Sequence, residues 1–455
     1  MTALPIRLMP PYAQYVASMH TKTQLSPKTC YPMNAARLLL VAAFLCIPST
    51  LLADEGWSRF RGSGATGLAG QEIPTTWSDT KNLAWRTDLP GKGSSSPVIS
   101  GDRIFLTTYS GYGQAVESPG DRTQLQLHVI CLSVKDGHIL WDYELDAAEE
   151  EQAVTKRVAD HGYASPTPCA DNRFVFASFG PSGVVALTHD GEFKWRTSVG
   201  TNTAGFGAAA SPIEFEDIVI MNASIEDGSV YALDKATGKV RWRTTDIERA
   251  WTTPTMVDLP NGNKELILNQ KGAILGLDPE TGKQLWSCDA IQDYVVPCVV
   301  AKGATLYCSG GRSNKTFAVN AGGRGDVTAT HLIWDVSRGA NVTSPLLDDG
   351  YLYWSHDKAI ALCLRASDGE EMFRERMPTR GRVYASIVGD GQHLYLTTRD
   401  AGVLVLAASP EYTEIAINRL GNPEERFNAT PAIAGDRLFL RSDAALYCVK
   451  KEKTD

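Results

Sequence analysis

The side chains that could do chemistry in this 455-residue chain are scattered rather than gathered into a motif. Asn202, Asp293 and Asn341 offer the hard oxygen atoms that Ca²⁺ takes, but nothing in their spacing converges them. His161, in "DHGYASPTP" with Tyr163, is the most conspicuous of the eight histidines because it lies in a connecting segment. Arg249, Arg338, Arg380, Arg382 and Arg426 occupy similar segments, together with Phe206, Trp251, Tyr294 and Asn428. Arginines interleaved with aromatics suit an anionic or polymeric ligand. The alternative is that these arginines pair with acids in neighbouring loops. HExxH, CxxC, the phosphate-binding glycine loop and the GxSxG elbow are all missing.

The elements that hold these residues repeat. "VICLSVKDGHILW" (129–141), "VVALTHDGEFKW" (184–195), "YALDKATGKVRW" (231–242), "LGLDPETGKQLW" (275–286) and "ALCLRASDGEEMF" (361–373) share one pattern. Each is an apolar strand, a glycine turn, and a short strand ending in Trp141, Trp195, Trp242, Trp286 or Phe373; Trp85 and Trp334 belong to the same series. Such rings are expected to dock one unit on the next, because so many equivalent aromatics cannot line one small site. Upstream of each lies a strand–turn–strand piece, as in "SSPVISGDRIFLTT" (94–107) and "ATPAIAGDRLFLRS" (429–442). Four short strands per unit, starting near Pro97, Pro166, Pro212, Pro254, Pro297, Pro345, Ser386 and Pro431, predict an all-β, eight-bladed propeller of four-stranded antiparallel blades.

The last unit stops after its third strand. "NLAWRTDLPG" (82–91) matches "FKWRTSVG" (193–200), so the N-terminal strand is expected to complete the C-terminal blade and remove an exposed edge.

These repeats resemble those of the pyrroloquinoline quinone (PQQ) dehydrogenase-like eight-bladed propellers, the quinoprotein alcohol dehydrogenase-like superfamily, over about residues 57–451. The resemblance implies the propeller fold and either of two function classes, since the superfamily holds quinone-dependent dehydrogenases and a cofactor-free lipoprotein of outer-membrane barrel assembly. Its dehydrogenases hold the quinone against adjacent cysteines and a Trp, with Ca²⁺ on carboxylate and amide oxygens. No two cysteines are adjacent here, and no Ca²⁺ ligand set stands out. The expected function is therefore a non-catalytic binding or assembly scaffold without cofactor, monomeric, and engaging a protein partner or an envelope ligand. The alternatives are a quinoprotein oxidoreductase using PQQ with Ca²⁺, and a ligand- or polymer-binding propeller.

Composition agrees with an exported chain. Residues 1–53 carry Arg7, Lys22, Lys28 and Arg37 but no acid, and the 40 basic against 52 acidic residues beyond them leave a charge of −12. That charge argues against a nucleic-acid partner. "LLLVAAFLCIPSTLLA" after Arg37 reads as a signal peptide interrupted by Pro48, not as a membrane span, with translation starting at Met33 and the propeller filling 54–455. Periplasmic or extracellular localisation follows. Glu149 to Glu151 reads as a solvated cluster that could begin a helix, and the Arg-Gly-Asp triplet at 324–326 as a chance occurrence in a loop. Cys298 and Cys308, on either side of one turn, leave a disulfide open; Cys131, Cys363 and Cys448 read as buried apolar residues.

Overall fold

The computed structural model describes residues 56–379 and 381–452. The apolar run after Arg37, Met33 and Arg380 lie outside the described residues. Among those described, no helix is long and apolar enough to cross a membrane.

Eight antiparallel sheets form a propeller ring. The first blade shows the pattern, with strands at Val98–Ser100, Arg103–Ser110, Gln126–Ser133 and Ile139–Asp146. The first strands of neighbouring blades touch one another, so they line the axis and the fourth strands face outward. The outer strand of the last blade comes from the other end of the chain. Leu83–Asp88 pairs antiparallel with Ala445–Lys450, with Trp85 opposite Cys448. The expected closure is present.

Blade-to-blade contact follows from the glycine turn and the aromatic residue. Gly238 has φ +69°, a conformation in which glycine is favoured, and a Cβ there would lie 2.5 Å from the indole of Trp195 in the preceding blade. The Trp195 indole N–H then donates to the Lys235 carbonyl (2.9 Å), and Thr197 Oγ1 to the Gly238 carbonyl (2.8 Å). Trp85, Trp141, Trp242 and Trp334 likewise donate to Val134, His189, Pro279 and Ala366 of the next blade. A register shift sits beside each docking position, as between Ala186 and Leu187 opposite Trp195; the extra residue twists the outer strand locally.

Two units vary the scheme. Trp286 is fully buried and donates to Glu265 Oε2 (2.7 Å), while Gly325–Asp326 adds a fifth, parallel strand beside it. The Arg-Gly-Asp triplet is thus structural: Arg324 pairs with the buried Glu265 (3.1 Å). Phe373 packs on Tyr353 and Tyr412 instead of on a glycine turn.

The disulfide left open does not form: all seven described cysteines are free. Val300 pairs with Tyr307, a register that places Cys308 one residue out of step with Cys298, and alternate strand residues face opposite sides. The acidic run also differs from expectation. Glu149 and Glu150 are exposed, but Glu151 is buried, and the short helix begins later, at Lys156–Ala159.

Residues 56–78 form a strap across the end of the barrel where the first strands finish. Trp57 bridges to Ile99, the Ser58 carbonyl accepts from Ala170 N–H (2.8 Å), and Leu68 bridges to Gly389. Further along, Ile73 N–H donates to Asp390 Oδ2 (3.1 Å) and Trp77 N–H to Asn418 Oδ1 (2.8 Å).

Candidate functional site

A chain entering each blade must place its last residue before the inner strand close to the axis, where eight backbones converge. Those residues are Ser96, Thr167, Ser211, Thr253, Cys298, Ser344, Ser386 and Thr430. Seven of the eight backbone N–H groups donate to the side chain of the next residue round the ring, from Ser96 to Thr167 Oγ1 (2.9 Å) through to Ser386 to Thr430 Oγ1 (2.9 Å), and Ser96 Oγ, at the seam, has no partner among the described residues. A hydroxyl is needed because an N–H in a closed barrel centre has no strand partner, and leaving it unpaired is costly. Cys298 holds the same place with sulfur, accepting from Thr253 N–H at 3.3 Å.

This ring encircles a funnel of about 280 Å³, open on the face opposite the strap. Phe60 of the strap closes its floor. Beside Phe60, Arg61 is fully buried and donates to the carbonyls of Thr66 and Pro345; burial lowers its pKa to about 10. Because the entering chains are extended, residues two positions before the ring also face inward. They include Trp251, Tyr384 and Asn428.

Higher on the wall, Phe206, Trp251 and Tyr294 form an arc of edge-to-face rings, with centroids 6.0 and 6.1 Å apart. Asn341 Nδ2 donates to Tyr294 Oη (2.9 Å) and Asn428 Nδ2 to the Asp160 carbonyl (2.7 Å). That leaves the Oδ1 of each asparagine buried with no partner among the described residues. His161 sits edge-on to Tyr384 (5.2 Å). Burial pushes its pKa down to about 4, with Asp160 opposing and Arg399 adding to the shift, so the imidazole is neutral near pH 7. The segment carrying it is the long insertion after the first blade, which reaches across the mouth; Asp160 pairs with Arg399 at 2.9 Å.

Of the residues singled out in the connecting segments, His161, Phe206, Trp251, Tyr294, Asn341 and Asn428 line the funnel. Tyr163 is buried behind it, donating to the Gln152 carbonyl (2.8 Å). Asn202 lines a separate small cavity. Asp293 accepts from Tyr294 N–H (2.8 Å) and Arg312 N–H (3.1 Å) as a turn-former. Arg338 pairs with Glu371, Arg382 donates to Tyr384 Oη (3.2 Å), and Arg249 and Arg426 are exposed. Among the described residues no lysine or arginine lines the funnel. Its one described carboxylate, Asp357, lies 2.6 Å from His356 Nδ1, and this neighbour lowers the carboxylate pKa. Sequence reasoning missed Phe60, Asp357, Tyr384 and the ring itself.

A propeller with a closed-floor axial funnel is the class that fold and site define. The family model described as outer membrane protein assembly factor BamB matches residues 75–161 and 128–375, and the chain belongs to this PQQ-like propeller family. Two polyvinylalcohol dehydrogenases, from a Pseudomonas species and from Sphingopyxis sp. (strain 113P3), are each 23% identical to it, over 55% and 54% of this chain. The matches cover 43% and 41% of those proteins, so the chain spans under half of their length. Among solved structures, BamB from Moraxella catarrhalis superposes with a TM-score of 0.58 at 13% identity, covering 82% of this chain and 98% of that one. Quinohemoprotein alcohol dehydrogenase from Comamonas testosteroni gives 0.60 at 12% identity, covering 88% and 81%. These likenesses show the shared fold.

The funnel residues do not fit PQQ with Ca²⁺. A quinone bearing several carboxylates needs cationic partners, and Ca²⁺ needs several converging oxygens. The described lining supplies no cation and a single carboxylate already engaged by His356.

Proposed function

We propose that this protein is an exported binding propeller whose axial funnel takes an uncharged, polyhydroxylated ligand such as the end of a sugar or polyol chain. The observation that carries this reading is the pairing of an aromatic arc with two buried amide oxygens that have no partner among the described residues, in a described lining without lysine or arginine. Aromatic faces take the C–H faces of such a ligand, and Asn341 and Asn428 turn their buried amide oxygens outward to accept its hydroxyls. Each oxygen left unpaired costs about 1–3 kcal/mol, which a ligand hydroxyl recovers. That the curated relatives act on polyvinyl alcohol, a neutral polyol, supports the same ligand chemistry. Export is supported by the apolar run after Arg37.

A second reading, a quinoprotein oxidoreductase, is favoured by the dehydrogenase relatives and opposed by the lining. One set of measurements separates them. Thermal shift and calorimetry are run with neutral oligosaccharides and vinyl alcohol oligomers, and with PQQ plus Ca²⁺ against Ca²⁺ alone, followed by dye-linked oxidation assays. The binding reading expects a neutral oligomer to raise the melting temperature, with N341A and N428A each weakening affinity about tenfold. A PQQ-dependent shift beyond that of Ca²⁺, with turnover, would establish the oxidoreductase instead.

A further inference from the structure

A second cavity lies between the second and third blades, away from the axis. It has room for about one water-sized sphere, about 10 Å³. Two carboxylates line it, Glu151 from the insertion and Glu226 from the turn before Ser229–Asp234, with both residues at least 94% buried. Such burial is unusual for a carboxylate without a cation. Glu151 Oε1 accepts from Ser182 Oγ (2.8 Å), while no other residue among those described hydrogen-bonds to the Glu226 carboxylate. Neither glutamate has an ion-pair partner among the described residues. The nearby Arg196 is turned to the carbonyls of Ser182 and Asp146 (2.7 and 3.0 Å).

Two acids facing one enclosed space repel each other. Burial raises the pKa of each to about 7, and for Glu226 the charge of Glu151 adds to the effect. The cavity can lower this cost by taking a proton or a cation. Its other walls supply neutral oxygens, from Asn202, Gln152 and Thr203, and no sulfur or imidazole. An all-oxygen donor set borne on loops, with two carboxylates, suits a large, hard, geometrically tolerant cation. A Cβ at Gly180 would lie 2.8 Å from Ala208 Cβ and 3.3 Å from Glu226 Oε1, so backbone without a side chain packs close to this carboxylate.

We propose that this cavity is a calcium site, with Glu151 and Glu226 as the charged ligands and Asn202 at its mouth. It would pin the insertion to the third blade and so set the height of the wall that carries His161. The site is independent of what the funnel binds.

The test uses the full exported chain, stripped with chelator. Calcium chloride is expected to raise the melting temperature by several degrees in the micromolar to millimolar range, and magnesium far less. Terbium should bind with luminescence sensitised by Tyr163, which lines the same cavity. E226Q should abolish both effects while leaving the metal-free protein as stable as before or more so, because it removes the repulsion. N202A, a milder change at an exposed position, should weaken calcium binding about tenfold if E226Q fails to fold. Absence of a calcium shift, a shift that survives E226Q, or an equal response to magnesium would overturn the assignment.

Discussion

At the scale of single residues, the repeat works through two atoms groups at a time: an indole and the bare backbone it covers. Gly238 cannot gain a side chain without meeting Trp195, and its φ of +69° is strained for any other residue. G238A is therefore expected to destabilise the chain by about 1–3 kcal/mol. W242A should cost more, about 3–5 kcal/mol, because it opens a cavity and also strands the Pro279 carbonyl. Urea denaturation of the two variants checks the order. These positions were legible in the sequence because a turn glycine and an aromatic at fixed spacing leave few other roles. The funnel residues were less so. Tyr384 and Asn428 occupy the place two residues before the ring hydroxyl, a period-two signal that only becomes visible once Ser386 and Thr430 are known to face the axis.

Elements that break the repeat were the hardest to read. The insertion between Asp146 and Cys169 shows a polar, acidic stretch, yet Glu151, Val158 and Tyr163 are buried. Composition alone could not reveal this, since the burial depends on a cavity and on neighbours supplied by the third blade. The same insertion places His161 over the funnel, and its titration gives a prediction at this scale. The folded state holds His161 down to about 4 against an ordinary 6.5. A depressed folded pKa contributes stability that is present above about 6.5 and lost as pH falls towards 4, because the unfolded chain takes up the proton first. Between pH 7 and 4.5 the protein should lose up to about 3 kcal/mol from this group. H161Q should flatten that part of the profile, as read by urea denaturation of the two proteins across this pH range. Equal acid sensitivity in H161Q would show that the imidazole is not the group responsible.

For the molecule as a whole, closure is the main property. Each blade buries its faces only against neighbours, so stability is shared round the ring and the seam between the termini carries as much as any other joint. That seam was legible because the missing fourth strand and the surplus N-terminal strand explain each other. The strap before it was not, since Phe60 and Arg61 resemble no repeat and act only where eight inner strands leave a hole. Removing residues up to Asp88 would take away both the outer strand of the last blade and the floor of the funnel, so a truncation alone confounds the two. Separating them needs two variants. W85A should weaken the seam, since Trp85 packs beside Gly137 of the first blade and donates to the Val134 carbonyl (3.2 Å). It should lower the melting temperature by several degrees and broaden the transition while ligand binding in the funnel persists below it. F60A should do the reverse: it opens the floor, weakens funnel binding, and leaves the seam and the sharpness of melting nearly unchanged. If W85A and F60A behave alike in both measurements, ring closure and funnel floor are one cooperative unit, and the strap is as much a part of the barrel as the strand that follows it.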